Sequence, residues 1–198
     1  MALSDPTDVA SYDRELAKVT IGGAQPLSEP LEIRDYDSEW PLQYEREEAR
    51  IRSILGERVL RIGHVGSTSV PGLPAKPVLD IALEVPNSAA ESAYVPDLEA
   101  GGYVLRIREP EWFEHGIFKG PDTNINLHVF TAGCAEVDRM LLFRDWLRTN
   151  AADRKLYAGA KRELPARDWK YVQQYADAKT AVVHDIMSRA QAAETSPL

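Results

Sequence analysis

Alternating apolar and polar positions predict the strands of this chain, and apolar positions three or four residues apart predict its helices. Residues 78–85 give the clearest strand. Residues 58–64 precede it across a loop that is too rich in glycine and proline for regular structure. Residues 31–34 predict a shorter strand. Three later strand-like segments, separated by proline and glycine, predict an antiparallel meander over 103–108, 111–119 and 124–130.

The helices are recognised by their ends. Asp37 or Ser38 can cap a helix that stops at Gly56, and a second helix is predicted over 88–101. From residue 136 onward the chain is predicted to be helical, over 136–149, 151–164 and 168–192. This order of elements predicts an α+β domain, with a mixed β-sheet followed by a helical C-terminal third.

Both ends of the chain are predicted to be flexible tails. Residues 1–30 are poor in bulky apolar groups and rich in proline and glycine, with at most a short helix around 11–19. Residues 191–198 form the second predicted tail. The segment between them, residues 31–190, is long enough to bury the core of a single domain.

Composition narrows the classes of partner. The 198 residues include 23 Lys and Arg against 31 Asp and Glu, which gives a net charge of −8 and disfavours a broad surface for nucleic acid. The single cysteine excludes an intramolecular disulfide. No long apolar run and no secretion signal occur, so we expect a cytoplasmic protein without a membrane partner. The oligomeric state stays open.

The most informative segment is the loop that leads into the strand at 78–85. Gly66 allows close approach of a ligand to the backbone, and Ser67 and Thr68 can donate hydrogen bonds to phosphate oxygens. Lys76 adds a cation near the same place. The same residues also suit a loop that glycine and proline merely shape, so this pattern alone leaves both interpretations open.

Two strands carry polar side chains that could meet. Asp80 lies inside an apolar strand, which is unfavourable for an unpartnered carboxylate, and Glu84 on the same face is about 13 Å further along. On a later strand, Asn126 and His128 share one face. If the two strands are neighbours, Asp80 and His128 could bind a divalent ion or share a proton, and the spacing does not decide between these roles.

Several blocks of the sequence together resemble the GrpB family of small proteins. The blocks are HVGSTSVPGLPAKPVLDI, WFEHGIFKG, NLHVF, FRDWLR and YADAKTAVVHDI, and the similarity runs from about residue 31 to 190. The family is assigned to the nucleotidyltransferase superfamily. The resemblance therefore implies a nucleotidyltransferase-like mixed β-sheet flanked by helices.

The superfamily signature is a Gly-Ser turn followed by Asp-x-Asp/Glu on a strand. Here the turn is Gly66-Ser67 and the first acid is Asp80, but Ala82 stands at the second acid position. The resemblance implies Mg²⁺ or Mn²⁺ as cofactor, held by Asp80 and His128, which are also the implied catalytic residues. The implied cofactor-binding residues are Gly66, Ser67, Thr68, Lys76, His115 and Lys119.

Two functions are compatible with these residues. The first is a metal-dependent nucleotidyltransferase that transfers a nucleotidyl group from an NTP to a small-molecule acceptor. The second is a catalytically reduced module that binds a nucleotide or coenzyme A on the same fold. Ala82 favours the second, as does the fusion of this family's fold to dephospho-coenzyme A kinase in some chains. Release of pyrophosphate would distinguish the two.

Overall fold

The computed structural model describes residues 9–28, 30–164 and 169–195, and a five-stranded mixed sheet lies at its centre. The strands are β1 (Arg61–Val65), β2 (Leu79–Val85), β3 (Val104–Glu109), β4 (His115–Lys119) and β5 (Ile125–Thr131). Their order across the sheet is β1-β2-β5-β4-β3. β2 and β5 run parallel and all other neighbours run antiparallel, which confirms both the mixed sheet and the predicted meander.

Helices flank the sheet and follow it. In the described residues they are α1 (Val9–Val19), α2 (Glu39–Leu55), α3 (Val95–Ala100), α4 (Ala135–Thr149), α5 (Ala151–Glu163), α6 (Val172–Asp177) and α7 (Thr180–Thr195). The α+β class and the helical C-terminal third are therefore confirmed. None of the helices in these ranges combines the length and the apolar character that crossing a bilayer requires.

The two faces of the sheet pack against different helices. The apolar side chains of β2 and β5 meet α2 and α3, through residues such as Ile81, Leu127 and Ile51, in the largest core cluster. On the opposite face Ala82 and Phe130 pack against Val137 of α4. Because side chains alternate along a strand, Asp80, Asn126 and His128 share this second face. The helical C-terminal third therefore covers the side of the sheet that carries the polar residues.

Four predicted elements differ from the structure. The helix predicted over 168–192 is divided into α6 and α7, and the other three differ for local reasons. Residues 31–34 form no strand, only a single bridge between Arg34 and Ala75. Of the helix predicted over 88–101, only α3 is α-helical, because Pro96 has no backbone N–H and is accepted only in the first turn. β4 begins at His115, because Phe113 and Glu114 have φ values of 56° and 51° and form a turn.

Both segments predicted to be tails contain helical residues, in α1 and at the end of α7. Tyr12 of α1 is 0% exposed, its hydroxyl donates to Asp177 Oδ2 at 2.7 Å, and its ring stacks on Tyr171. This part of the predicted N-terminal tail therefore packs on the body of the protein. The last helix, α7, continues to Thr195, past the start of the predicted C-terminal tail. Residues 1–8 and 196–198, the outer parts of both predicted tails, lie outside the described residues.

Candidate functional site

A tight Gly-Ser turn follows β1. Gly66 has φ 68° and ψ −172°, a combination that is essentially restricted to glycine. A Cβ atom at this position would lie 2.3 Å from Oδ2 of Asp80. The lack of a side chain at residue 66 therefore lets the Asp80 carboxylate lie directly against the backbone of the turn.

Helix α4 holds this turn from both sides. The Arg144 guanidinium donates to the carbonyl oxygen of His64 at 3.0 Å, just before the turn. Arg148 donates through Nε and Nη2 to the carbonyl oxygen of Ser69, at 3.0 and 2.8 Å, just after it. Hydrogen bonds from charged donors are stronger than neutral ones. The turn is therefore fixed by two side chains that lie one helical turn apart.

Asp80 is held by the neighbouring strand. In the register of β2 and β5, Asp80 lies beside Asn126, whose amide donates to Asp80 Oδ1 at 2.7 Å. His128 Nε2 is 3.6 Å from the same oxygen, and the Asp80 side chain is 31% exposed. Burial would raise the pKa of Asp80, but His128, Asn126 and Lys76 hold that pKa at about 2. The carboxylate is therefore ionised at neutral pH.

Four lysines surround this carboxylate. Lys76, Lys119, Lys161 and Lys179 each lie close enough to Asp80 to interact electrostatically with it. Among the lysines of the described ranges, only Lys18 and Lys170 form salt bridges. Like charges repel, and burial lowers the pKa of Lys161 and of Lys179, the latter to about 8. The site therefore gathers four lysine side chains around one carboxylate in a protein whose net charge is −8.

Most of the residues predicted from the sequence come together here. Gly66, Ser67 and Asp80 meet at the turn, with Lys76 nearby, and Lys119 Nζ donates to Asn126 Oδ1 at 2.5 Å. Ser67 lies close to the buried Tyr157 of α5. The polar face of β2 and β5, the turn and the C-terminal helices therefore form one candidate site.

Two predicted residues point elsewhere. The hydroxyl of Thr68 is buried, lies 2.9 Å from His64 Nε2 and donates to the carbonyl of Val78. His115 is 2% exposed, and both of its ring nitrogens are engaged, one by Glu109 and one by His128. Neither side chain is free to contact a ligand directly, so only the backbone of Thr68 can do so.

The site offers two candidate metal ligands. Asp80 and His128 are adjacent, and Ala82 pairs with His128 in the register, where the superfamily signature has its second acid. Residues 9–28, 30–164 and 169–195 contain no group of three His, Cys, Asp or Glu side chains that could hold a metal. One carboxylate is enough for Mg²⁺ when water and phosphate oxygens complete its shell, so the donor set fits one ion of this kind.

Sequence reasoning missed several members of the site. Asn126 had a local signal, because it alternates with His128 on one strand face. Lys161, Lys179 and Tyr157 had none, since only the packing of α5 and α7 against residues 70–73 brings them to the turn. Glu109 reaches the site only through His115.

Comparisons with known proteins agree with the fold. The family described as GrpB protein matches residues 30–189. A UPF0157 protein of Halalkalibacterium halodurans, BH1888, is 58% identical over 180 residues, 91% of this chain and 92% of that protein. A dephospho-CoA kinase of Mycolicibacterium paratuberculosis is 30% identical over 187 residues, 81% of this chain but only 46% of that protein.

A solved structure has the same fold. The crystal structure of the conserved protein GrpB from Enterococcus faecalis superposes with a TM-score of 0.71 and 27% identity, over 83% of this chain and all of that one. The resemblance seen in the sequence blocks is thus matched by a family description, a close relative and a fold. The chain belongs to the GrpB family.

Proposed function

We propose that this protein binds the triphosphate of an NTP at the Gly66-Ser67 turn and transfers the nucleotidyl group to a small-molecule acceptor. The observation that carries the proposal is the pairing of an ionised Asp80 with four lysines that lack a salt bridge within the described ranges. A polyphosphate would balance the charged lysines among these four, and the backbone N–H groups of the turn suit its oxygens. The overall acidity of the chain favours a small acceptor over nucleic acid.

The reaction needs a proton acceptor and charge stabilisation. The acceptor's hydroxyl oxygen forms a bond to the α-phosphorus while the bond from that phosphorus to the α–β bridging oxygen breaks, so pyrophosphate leaves. The hydroxyl proton goes to His128 Nε2, which lies on the side of the ring that faces Asp80. Lys76 and Lys119 would stabilise the negative charge that moves onto the leaving pyrophosphate.

A divalent ion fits this scheme. Asp80 would hold Mg²⁺ or Mn²⁺ together with water and phosphate oxygens, and His128 would be a second ligand only in place of its role as base, because Nε2 has a single lone pair. Such an ion would neutralise phosphate charge and orient the triphosphate. With Ala82 at the second acid position, the described residues favour one ion over two.

A second function is favoured by two specific observations. Ala82 removes one acid from the polar face of β2, and a relative that covers 81% of this chain is named as a dephospho-CoA kinase. A module that holds a nucleotide or coenzyme A without turnover would use the same turn and lysines. It would not need Asp80 as a metal ligand.

Thermal unfolding distinguishes these functions. Wild type and Asp80→Ala are unfolded with each NTP or coenzyme A, with and without Mg²⁺ or Mn²⁺. Asp122→Ala is the matched control, because that aspartate is 71% exposed and pairs with Arg50 on the surface. Ligand at 100 times its Kd adds about 2.7 kcal/mol, or roughly 5–10 °C in a chain of this size.

The expected result is a metal-dependent rise in Tm with at least one NTP, which Asp80→Ala loses and Asp122→Ala keeps. That NTP then serves as donor in assays of pyrophosphate release. A metal-independent rise, or a rise with coenzyme A alone, would support the binding module instead. If no ligand raises the Tm of the wild type, both functions are overturned.

A further inference from the structure

A row of neighbouring side chains runs across the sheet, from Glu109 at the end of the outermost strand β3 to Asp80 at the site. Glu109 Oε2 is 2.7 Å from His115 Nδ1, and His115 Nε2 is 3.0 Å from His128 Nδ1. His128 Nε2 then faces Asp80 Oδ1 at 3.6 Å. Side-chain exposure is 17% for Glu109, 2% for His115, 15% for His128 and 31% for Asp80, so His115 is the buried middle of the row and Asp80 is its most exposed end.

The surroundings of His115 keep this row in place. Its ring stacks on Phe130 at 4.6 Å between centroids and meets the edge of Trp112 at 5.0 Å. Glu109 and His115 are register partners across the turn between β3 and β4. That turn contains Phe113 and Glu114 in left-handed conformations, which are unfavourable for such residues and persist only where the surroundings enforce them.

Distances decide which way the protons lie. A donor–acceptor distance of 2.7 or 3.0 Å is a hydrogen bond, whereas 3.6 Å is not. Asp80 Oδ1 accepts from Asn126 but lies 3.6 Å from His128 Nε2, so no hydrogen bond holds a proton on Nε2 of a neutral His128 ring. At the other end an ionised Glu109 can only accept, so His115 Nδ1 carries the proton and His115 Nε2 accepts. His128 must then donate from Nδ1.

We propose that Glu109 and His115 are positioning residues that fix His128 as the Nδ1–H tautomer and so direct the lone pair of Nε2 towards Asp80. Free histidine has no such constraint. In a protein, the tautomer is set by the hydrogen bond that the other ring nitrogen makes. The same lone pair would serve a base or a metal ligand, as in metal sites where a carboxylate accepts from the other ring nitrogen and orients the histidine. Its use as a base rests on the proposed function, but the tautomer itself does not.

The test is ¹⁵N NMR of imidazole-labelled protein at pH 8 without ligand, where a histidine of ordinary pKa is neutral. The four histidines are assigned by single substitutions. We expect His128 Nε2 to give a pyridine-type shift and Nδ1 a pyrrole-type shift in the wild type. The opposite pattern in the wild type would overturn the proposal, whatever the ligand-binding experiments show.

Two variants and a control separate positioning from packing. In His115→Phe the aromatic ring is kept but the acceptor is lost, so the proton of His128 is expected to redistribute to Nε2. Glu109→Gln can either donate to or accept from His115, and an averaged His128 shift is expected. Trp112→Phe perturbs the packing around His115 without touching the hydrogen bonds, and its His128 tautomer should match the wild type.

Either variant on its own can refute the idea. An unchanged His128 tautomer in a folded His115→Phe or Glu109→Gln would show that the row does not set it. A tautomer that changes equally in Trp112→Phe would assign the effect to packing. Because no ligand is present in these spectra, failure of the nucleotide hypothesis appears only in the thermal unfolding experiment and stays distinguishable.

Discussion

At the scale of single residues, Gly66 connects backbone conformation to the site. We expect Gly66→Ala to lower the free energy of unfolding by about 1–3 kcal/mol from the unfavourable φ and ψ alone. The new methyl group would also displace the Asp80 carboxylate, since its position lies 2.3 Å from Oδ2. Chemical denaturation measures the first effect, and the loss of an NTP-induced rise in Tm measures the second.

Gly72→Ala is the matched control for this variant. Gly72 also has a positive φ, of 76°, but a Cβ atom there would have nothing within 4 Å. It should lose stability through backbone strain and keep whatever ligand response the wild type shows. If both alanine variants kept that response, the close contact between residue 66 and Asp80 would have no functional consequence.

The predictability of the site also differs from residue to residue. Gly66, Ser67 and Asp80 are close in sequence and follow a turn-to-strand pattern, so their meeting could be predicted. The family resemblance of the block WFEHGIFKG predicts that His115 binds a ligand. Nothing in that block reveals that Glu109 and His128 occupy both nitrogens of the His115 ring. A one-dimensional pattern gives the type of a side chain and its strand face, but the partners of that side chain come from the register.

At the scale of elements, α4 acts as a clamp on the Gly-Ser turn. Replacing Arg148 by Met removes two hydrogen bonds from a charged donor to the carbonyl oxygen of Ser69. Hydrogen bonds from charged groups contribute about 1–3 kcal/mol to stability. We expect amide hydrogen exchange over residues 66–73 to become roughly tenfold faster or more in Arg148→Met, since about 1.4 kcal/mol of local stability corresponds to a factor of ten.

Arg139→Met provides the comparison within the same helix. Arg139 is 45% exposed and pairs with Glu136, with no hydrogen bond to the turn. Its substitution should leave exchange in the turn unchanged. Equal acceleration in both variants would mean that α4 as a whole, and not the Arg148 contact, protects these amides.

Elements were predicted best where a single residue sets their boundary. Gly56 ends α2 and Asn150 separates α4 from α5, as the sequence indicates. The strand predicted at 31–34 fails because its partner is a loop residue, Ala75, and one bridge does not make a ladder. The parallel pairing of β2 with β5, which brings Asp80 beside Asn126, depends on contacts between residues more than forty positions apart. No local pattern specifies such a pairing.

At the scale of the whole molecule, the helical C-terminal third completes the site. Val70 and Leu73, which follow the turn, pack with Leu147, Tyr157 and Ile186 of α4, α5 and α7 in a separate apolar cluster. This packing brings Lys161 and Lys179 close to Asp80 on β2. Lys161 is fully buried and donates to the carbonyl oxygen of Pro74 at 2.5 Å, so it also ties the loop to α5. The site is therefore assembled from distant parts of the chain.

This assembly predicts that phosphate binding weakens as pH rises. Burial lowers the pKa of Lys179 to about 8, although Asp80 and Asp177 act in the opposite direction. The Lys179 ammonium is thus present at pH 7 and mostly lost at pH 9. The phosphate groups of an NTP are already mostly ionised over this range, because the second pKa of a phosphate ester is near 6. We expect the affinity for a triphosphate to fall by up to about tenfold per pH unit above pH 8.

Arginine at position 179 provides the decisive comparison, because its guanidinium stays charged across this range. Calorimetric titration of wild type, Lys179→Arg and Lys155→Arg at pH 7, 8 and 9, with the NTP that raises the Tm, should show a flatter pH dependence for Lys179→Arg alone. Lys155 is an exposed lysine on α5 and controls for the change of side chain. A wild-type affinity that does not change between pH 7 and 9, or an equally steep fall in Lys179→Arg, would mean that the charge on this buried lysine does not contribute to binding the phosphates.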